Sequence, residues 1–369
     1  MTEFPILQFG ASRFLQAHVD LFVSDALPRG EAMGRIAVAG TTGSPESRKR
    51  IAAFAAGKPY RVLIKGLSRG AVVDKRVEVS SVGAGVDAAT QWDELERLFL
   101  AARCAVSNTA DRGYEIDPDD RPEGAPPRSF PAKLAKLLLA RYRAGAKPIT
   151  IFPCELTPAN GKVLRGVVLD VLDRWQAPET ARRWVREECL WVNSLVDRIV
   201  SEPLEPLGAV AEPYALWAIE DQPGLELPCR HPAIIVAADL KPYERLKLFI
   251  LNLGHTYLAE IWARHGGAPG LTVREAMADQ ATRGKLDALY QEEVLPVFAA
   301  IGMGDEGHAY RKTVIERFSN PFLNHRLSEI FTNHEAKKRR RFGGLIELAE
   351  ANDIRVAQPR LRAALAHDD

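Results

Sequence analysis

The first half of the chain alternates short apolar runs with amphipathic stretches, the pattern of a parallel sheet joined by crossover helices. Ile6-Leu7-Gln8-Phe9 reads as a first strand, with a helix expected over residues 14–26. Ile36-Ala37-Val38-Ala39 reads as a second strand. Residues 60–67 and 71–79 flank Ser68-Arg69-Gly70, which predicts an inserted hairpin. Cys104-Ala105-Val106 is a further strand running into Ser107-Asn108-Thr109, and residues 118–127, rich in proline and acids, predict a surface loop. A helix over 131–143 and a strand over 149–152 follow. From Tyr243 onward the texture turns to helix after helix, with apolar residues at helical spacing over 246–263 and 286–298. The expected class is α/β: a Rossmann-type doubly wound N-terminal domain followed by a mainly α-helical C-terminal domain. A boundary near Lys241-Pro242 separates a dinucleotide-binding domain (1–241) from a helical catalytic and substrate domain (242–369).

Composition narrows the partners. With 369 residues, 46% hydrophobic and 26% charged, the chain has an ordinary globular balance and enough length for two cores. A formal net charge of +1 sets up no global field for nucleic acid or membrane. Apolar runs fall far short of the roughly 20 residues that span a bilayer. Met1-Thr2-Glu3-Phe4-Pro5 lacks the basic start of a signal peptide, so a cytoplasmic location is expected. Cys104, Cys154, Cys189 and Cys229 are widely spaced and form no metal-ligand pattern; buried reduced thiols and no metal are expected. The only strong charge run, Lys337-Lys338-Arg339-Arg340-Arg341, reads as a solvated helix face or as a contact to phosphate or carboxylate.

The first strand leads directly into Gly10-Ala11-Ser12-Arg13-Phe14. A glycine there allows a tight strand-to-helix turn, and a helix start offers N–H groups to a pyrophosphate. Ser12 stands where a second glycine is usual. After the second strand comes Gly40-Thr41-Thr42-Gly43-Ser44, with no acid before Glu46 to hold the ribose hydroxyls of NAD. Ser44 and Arg48 are positioned to meet a 2′-phosphate, or else Arg48 belongs to a solvated helix start. NAD is expected, with NADP also compatible.

Lys247-Leu248-Phe249-Ile250-Leu251-Asn252-Leu253-Gly254-His255 places three polar residues in an apolar stretch. On an α-helix, at about 100° per residue, Lys247, Asn252 and His255 lie within about 140° of one another. Oxidising an alcohol needs a base for the hydroxyl proton and donors for the developing alkoxide. A desolvated lysine has its charged form disfavoured and suits the first task. Asparagine amides suit the second without titrating.

Lys-x4-Asn-x2-His resembles the catalytic helix of the polyol-specific long-chain dehydrogenases, the family of mannitol dehydrogenase, fructuronate reductase and tagaturonate reductase. Phe9 to His18 resembles the family's glycine-turn motif, with Ser12 and Gln16 in place of its usual Gly and Arg. Pro153-Cys154-Glu155-Leu156 with Asn160-Gly161 resembles its Cys-Glu-Asn segment. Val192-Asn193-Ser194-Leu195-Val196-Asp197-Arg198-Ile199 and Arg317-Phe318-Ser319-Asn320-Pro321 are similar to two further signatures, all in family order. Likeness is greatest to the tagaturonate reductase branch, although this chain is shorter in its N-terminal loops and after the Arg-Phe-x-Asn-Pro motif.

The resemblance implies NAD(H), no metal, Lys247 as general acid/base, Asn193 and Asn252 as oxyanion donors, and His255 positioning substrate hydroxyls. It places the cofactor along Gly10, Ala11, Ser12, Arg13, Phe14, Thr41, Thr42, Ser44, Arg48, Ser107, Asn108, Thr109 and Glu155. Arg317 is the first candidate for a substrate carboxylate. Lys133, Asn320 and His325 are further substrate candidates, and Arg128 a reserve cation. The expected activity is NAD(P)-linked oxidation of a secondary alcohol in a sugar acid such as altronate or mannonate. A neutral polyol such as mannitol or arabinitol is the alternative substrate. A non-catalytic nucleotide- or nucleic-acid-binding protein is the alternative of another class. The expected partner is thus a small molecule, with no nucleic acid and no membrane; the oligomeric state is left open.

Overall fold

A computed structural model describes residues 3–109 and 113–366. Met1 and Thr2, which open the segment read for a leader, lie outside the described residues. The chain divides into two compact units. One comprises residues 1–64, 75–211 and 215–240; the other comprises 65–74, 212–214 and 241–369.

The first unit is built on six parallel strands: β1 (Ile6–Phe9), β2 (Ile36–Gly40), β5 (Val82–Asp87), β6 (Cys104–Ser107), β7 (Thr150–Pro153) and β8 (Leu190–Trp191). Their order across the sheet is β5-β2-β1-β6-β7-β8. Counted within this sheet the order is 3-2-1-4-5-6, the doubly wound dinucleotide-binding arrangement expected from the alternating pattern. β1 and β2 are buried along their whole length, because helices cover both faces and leave no polar side. Phe9 packs its ring 5.3 Å from that of Phe130 and 6.2 Å from that of Phe99, tying β1 to two of those helices.

Between β2 and β5 lies the predicted hairpin, β3 (Tyr60–Ser68) and β4 (Ala71–Val79). Its two turn residues, Arg69 and Gly70, both have positive φ (52° and 76°), the turn whose twist matches that of the strands. β3 and β4 join β10 (Val200–Pro203) and β11 (Gly208–Ala211) in a sheet ordered β10-β11-β3-β4. β9 (Ser194–Asp197), β12 (Leu216–Glu220) and β13 (Ile234–Ala237) form a third sheet ordered β13-β12-β9.

The helix expected over residues 14–26 is interrupted. Arg13–Gln16 forms one turn and Val19–Ala26 a second helix, with His18 between them at φ −128° and ψ −93°. Two long-range bonds explain the break. The His18 ring donates to the Leu216 carbonyl (3.1 Å), and Arg198 donates to the Ala17 carbonyl (2.6 Å). Burial lowers the His18 pKa to about 3, so it is a neutral core histidine.

The second unit is helical, around a core of Leu253, Leu258, Tyr290, Phe298, Phe318, Phe342 and Leu345. The continuous helix expected over 246–263 is a composite: Lys241–Leu246 is α-helical, Lys247–Asn252 is a π-helix, and Leu253–Arg264 is α-helical again. A π-turn closes i→i+5 rather than i→i+4, as in the bond from the Leu253 N–H to the Leu248 carbonyl. No described helix is long and apolar enough to cross a membrane.

Candidate active site

In the parallel-sheet unit the strand order reverses between β1 and β6, and ligands of open α/β sheets bind outside the carboxyl ends at such a point. Gly10 ends β1 with φ +106°, and a Cβ there would sit 2.7 Å from the Asn108 carbonyl oxygen. Only glycine lets the turn press this closely against the loop after β6. Ala11 is buried, Phe14 stacks on His18 at 4.7 Å, and Arg13 is exposed. Ser12 caps the short Arg13–Gln16 turn, accepting from the Leu15 N–H (3.2 Å) and donating to Asn108 Oδ1 (3.0 Å). Its hydroxyl is therefore structural.

The loop Ser107-Asn108-Thr109 is held by Glu155. That carboxylate accepts from the Ser107 hydroxyl, the Thr109 N–H and hydroxyl, and the Tyr114 hydroxyl, all at 2.9–3.0 Å. Asn108 Nδ2 donates to the Cys154 carbonyl (2.8 Å). These side chains shape the crevice and leave backbone groups to meet a ligand. A turn pressed tight by glycine at the switch point fits a dinucleotide.

An acid stands beside the end of β2, on β5. Asp87, 8% exposed, is the register partner of Gly40, and its carboxylate lies 3.7 Å from Arg48 Nε. Arg48 thus has a carboxylate neighbour, and Ser44 caps the Pro45–Ala55 helix through the Ser47 N–H. Thr42 donates to the Ser44 hydroxyl (3.4 Å), and Thr41 is half-buried. Reading along β2 alone misses Asp87, because β5 carries no strong strand signal of its own.

Asn193, also in this unit, has its amide orientation set from both ends. Oδ1 accepts the Lys162 N–H (3.0 Å), and Nδ2 donates to Glu220 (2.8 Å). One Nδ2 hydrogen remains. Lys133, buried beside Asp120, donates to the Arg128 carbonyl, and burial pushes its pKa down to about 8.

In the helical unit Lys247 opens the π-turn and Asn252 closes it, five residues apart. In an i→i+5 turn residues five apart stand nearly one above the other, so the 140° fan expected of an α-helix is closed up. Three groups stabilise the wide turn by satisfying its carbonyls. The buried Tyr290 hydroxyl donates to Ile250 (2.7 Å), while the Thr256 hydroxyl and Arg341 Nη1 donate to Asn252 (both 3.1 Å). Gly254 makes room for this: a Cβ there would lie 1.9 Å from the Tyr290 hydroxyl.

His255 is buried with Nε2 unpartnered among the described residues, its ring 4.9 Å from that of His325, whose Nδ1 is also unpartnered. Burial, then His325, Arg317, Arg341 and Lys337, hold His255 well below its ordinary pKa, so it is neutral.

Two candidate substrate ligands in this unit are already committed. Arg317 meets Glu212 through Nε (3.0 Å) and Nη2 (2.8 Å), gives Nη1 to Tyr310 (3.2 Å) and stacks on Tyr214 at 4.3 Å. The Nε–Nη2 edge of the guanidinium named for a substrate carboxylate is thus taken by Glu212. Asn320 donates to the Lys65 carbonyl (3.1 Å) and accepts the Phe322 N–H (2.9 Å), clamping the base of the hairpin tip. Among the described residues no group of three or more His, Cys, Asp or Glu is arranged to hold a metal. All four cysteines are buried and unpaired.

Family models match almost the entire chain: the mannitol dehydrogenase Rossmann domain over residues 5–228 and the mannitol dehydrogenase C-terminal domain over 239–366. The chain belongs to the mannitol dehydrogenase family. The likeness read from the five motifs is thereby borne out, and membership places the chain among the dehydrogenases. Altronate oxidoreductase of Bacillus subtilis (strain 168) is 32% identical over 95% of this chain and 76% of its own length. Altronate oxidoreductase of Klebsiella pneumoniae (strain 342) is 32% identical over 98% and 78%. Two solved structures at 21% identity share the fold. D-sorbitol dehydrogenase in substrate-free form has a TM-score of 0.82 over 98% of this chain and 79% of that one. Pseudomonas fluorescens mannitol 2-dehydrogenase, in a ternary complex with NAD and D-mannitol, has a TM-score of 0.76 over 99% and 79%.

Proposed function

We propose that this family member is a nicotinamide-dependent dehydrogenase that interconverts a secondary alcohol and a ketone in a sugar acid, with Lys247 as its acid/base. The observation that carries the reading is the π-turn. It sets Lys247 and Asn252 on one side of a segment in which Phe249, Ile250 and Leu251 are buried in the core and Leu248 is half-buried. π-turns concentrate at functional sites.

The bound nicotinamide supplies the hydride acceptor. In oxidation, Lys247 Nζ takes the hydroxyl proton while the C–H bond breaks with its electron pair and the C=O bond forms. The Asn252 amide donates to the oxygen as charge develops on it. Neutral His255 orients a neighbouring hydroxyl. In reduction Lys247 returns the proton.

A sugar-acid substrate is favoured because the altronate oxidoreductases are about as similar over nearly the whole chain as its motifs suggested. NAD is taken as the cofactor, and the carboxylate of Asp87 beside the end of β2 supports it over NADP. The alternative of a nucleotide- or nucleic-acid-binding protein without catalysis rested on the 337–341 run and on the departure of the glycine turn from its usual pattern at Ser12. That run is divided, with Arg339 and Arg340 exposed and Lys338 buried against Glu260 and Glu335.

The test is turnover of altronate, mannonate, mannitol and arabinitol with NAD and with NADP. A sugar acid is expected to give the highest kcat/KM. Preference for a neutral polyol overturns the substrate class, and no turnover with any of them overturns the dehydrogenase reading.

A further inference from the structure

Within the 337–341 run the side chains part company. Arg339 and Arg340 are exposed, and Lys338 is buried and paired, but Lys337 and Arg341 are half-buried four residues apart. Arg341 spends only Nη1, on two neutral acceptors: the Asn252 carbonyl (3.1 Å) and the Thr256 hydroxyl (2.6 Å). Lys337 gives its ammonium to the Ile330 carbonyl (2.7 Å). Among the described residues neither cation has a carboxylate partner, in contrast to Arg317 with Glu212 and Lys338 with Glu260. Partly desolvated cations without a counter-charge are costly, and two of them repel. Burial, then Arg341, lowers the Lys337 pKa, and burial pushes Arg341 down to about 10. An anion placed there would relieve both.

We infer that Arg341 is the residue that binds the substrate's carboxylate, through the Nε–Nη2 edge left by its Nη1 anchors, and that it sets the preference for sugar acids over neutral polyols. Several features fit this role. The anchoring of Nη1 by Asn252 and Thr256 holds the guanidinium plane beside His255, which follows Asn252 by three residues and precedes Thr256. A planar fork suits one carboxylate bidentately, as a lysine does not. Lys337 adds a second positive charge without needing direct contact. Arg317, the more obvious sequence candidate, is neutralised by Glu212. The inference rests on the sugar-acid reading above and deepens it.

The experiment uses the full chain with Arg341→Gln, Arg341→Lys and Thr256→Val. Steady-state kinetics are measured on altronate or mannonate, whichever the unmutated protein turns over, and on mannitol. Arg341→Gln is expected to raise KM for the acid by about 10–100-fold, the worth of a charge-assisted hydrogen-bonded pair, and to leave KM for mannitol within a few-fold. Arg341→Lys should recover part of the acid preference, because charge returns without the fork. Thr256→Val keeps the charge, loosens its anchor, and should raise KM for the acid by a few-fold. Equal losses on acid and polyol, or a fall in kcat with KM unmoved, would show that Arg341 acts only by holding the Asn252 carbonyl, which overturns the inference and leaves the sugar-acid reading intact. Failure of the unmutated protein to turn over any sugar acid overturns the reading itself, and the inference with it. Should Arg341→Gln fail to fold, the acid-to-polyol ratio of Thr256→Val and Arg341→Lys decides; an unchanged ratio in both overturns the inference.

Discussion

Around the glycine turn of the parallel-sheet unit, polar side chains spend their hydrogen bonds on one another. In the helical unit, the groups around the π-turn keep theirs in reserve. Ser12, Ser107, Asn108, Thr109 and Glu155 spend their polar groups on one another and on nearby backbone. Among the described residues, His255 Nε2 and His325 Nδ1 are buried without partners, and Arg341 holds only neutral acceptors. A rigid backbone cradle suits a constant ligand. A substrate pocket gains discrimination from buried polar groups that only the right hydroxyl or carboxylate can satisfy. One unit is finished before its ligand arrives. The other is completed by it.

The contrast breaks first at Lys247. Lys247→Ala should lower turnover by about 10²–10⁴-fold, the usual worth of a positioned acid/base, with NADH affinity nearly unchanged when titrated by fluorescence. A variant that keeps near-normal kcat removes Lys247 from the chemistry and leaves the π-turn without a functional reason.

Asp20 is the exception that sharpens the comparison, a strained group inside the otherwise satisfied unit. It is fully buried, accepts from the Tyr60 hydroxyl (2.7 Å), and faces Gln8, while Asp20 Oδ1 and Gln8 Oε1 both lack a donor among the described residues. Burial raises its pKa from 3.8 to about 7. The folded state therefore keeps the proton that the unfolded chain releases near pH 4. Stability is lost as pH rises from about 4 to about 7, and the loss is complete above that. Asp20→Asn supplies an N–H for Gln8 and carries no charge. It should stabilise the protein at pH 8 by on the order of 2–4 kcal/mol and by little at pH 4. Thermal melts at the two pH values check this; equal shifts at both would show that Asp20 is ionised in the fold.

Asn193→Ala and Asn252→Ala should each depress kcat by about 10²-fold if their amides meet the developing oxyanion. The two variants also separate the units. Loss of Asn252 should leave cofactor binding untouched, and a matched fall in NADH affinity would mean that the π-turn itself had collapsed.

The smallest effect concerns the cofactor. NAD should be preferred over NADP by no more than about tenfold, since Arg48 beside Asp87 offers a 2′-phosphate some compensation. Arg48→Ala should reduce NADP-linked kcat/KM more than NAD-linked, and Asp87→Asn should move the ratio towards NADP. An unmoved ratio in both would show that neither side chain reaches the ribose.

What the sequence determined by itself was local. Alternating apolar runs predicted the parallel strands, Ser68-Arg69-Gly70 marked the hairpin turn, and motif order identified the family, because periodicity, turn chemistry and spacing are written along the chain. What the tertiary structure decided was pairing at a distance. Asp87 stands beside the end of β2, which has no acid of its own, because β5 pairs with it in the sheet. Glu212 takes one edge of the Arg317 guanidinium although 105 residues separate them. The helix at His18 breaks because partners from the 190s and the 210s claim its ring and its neighbour's carbonyl. The wide turn at Lys247–Asn252 survives because Tyr290 and Arg341 satisfy carbonyls that α-helical bonding would otherwise have taken. A residue's type states which bonds it can make, but only the fold decides which of them are already made, and hence which are left for a ligand.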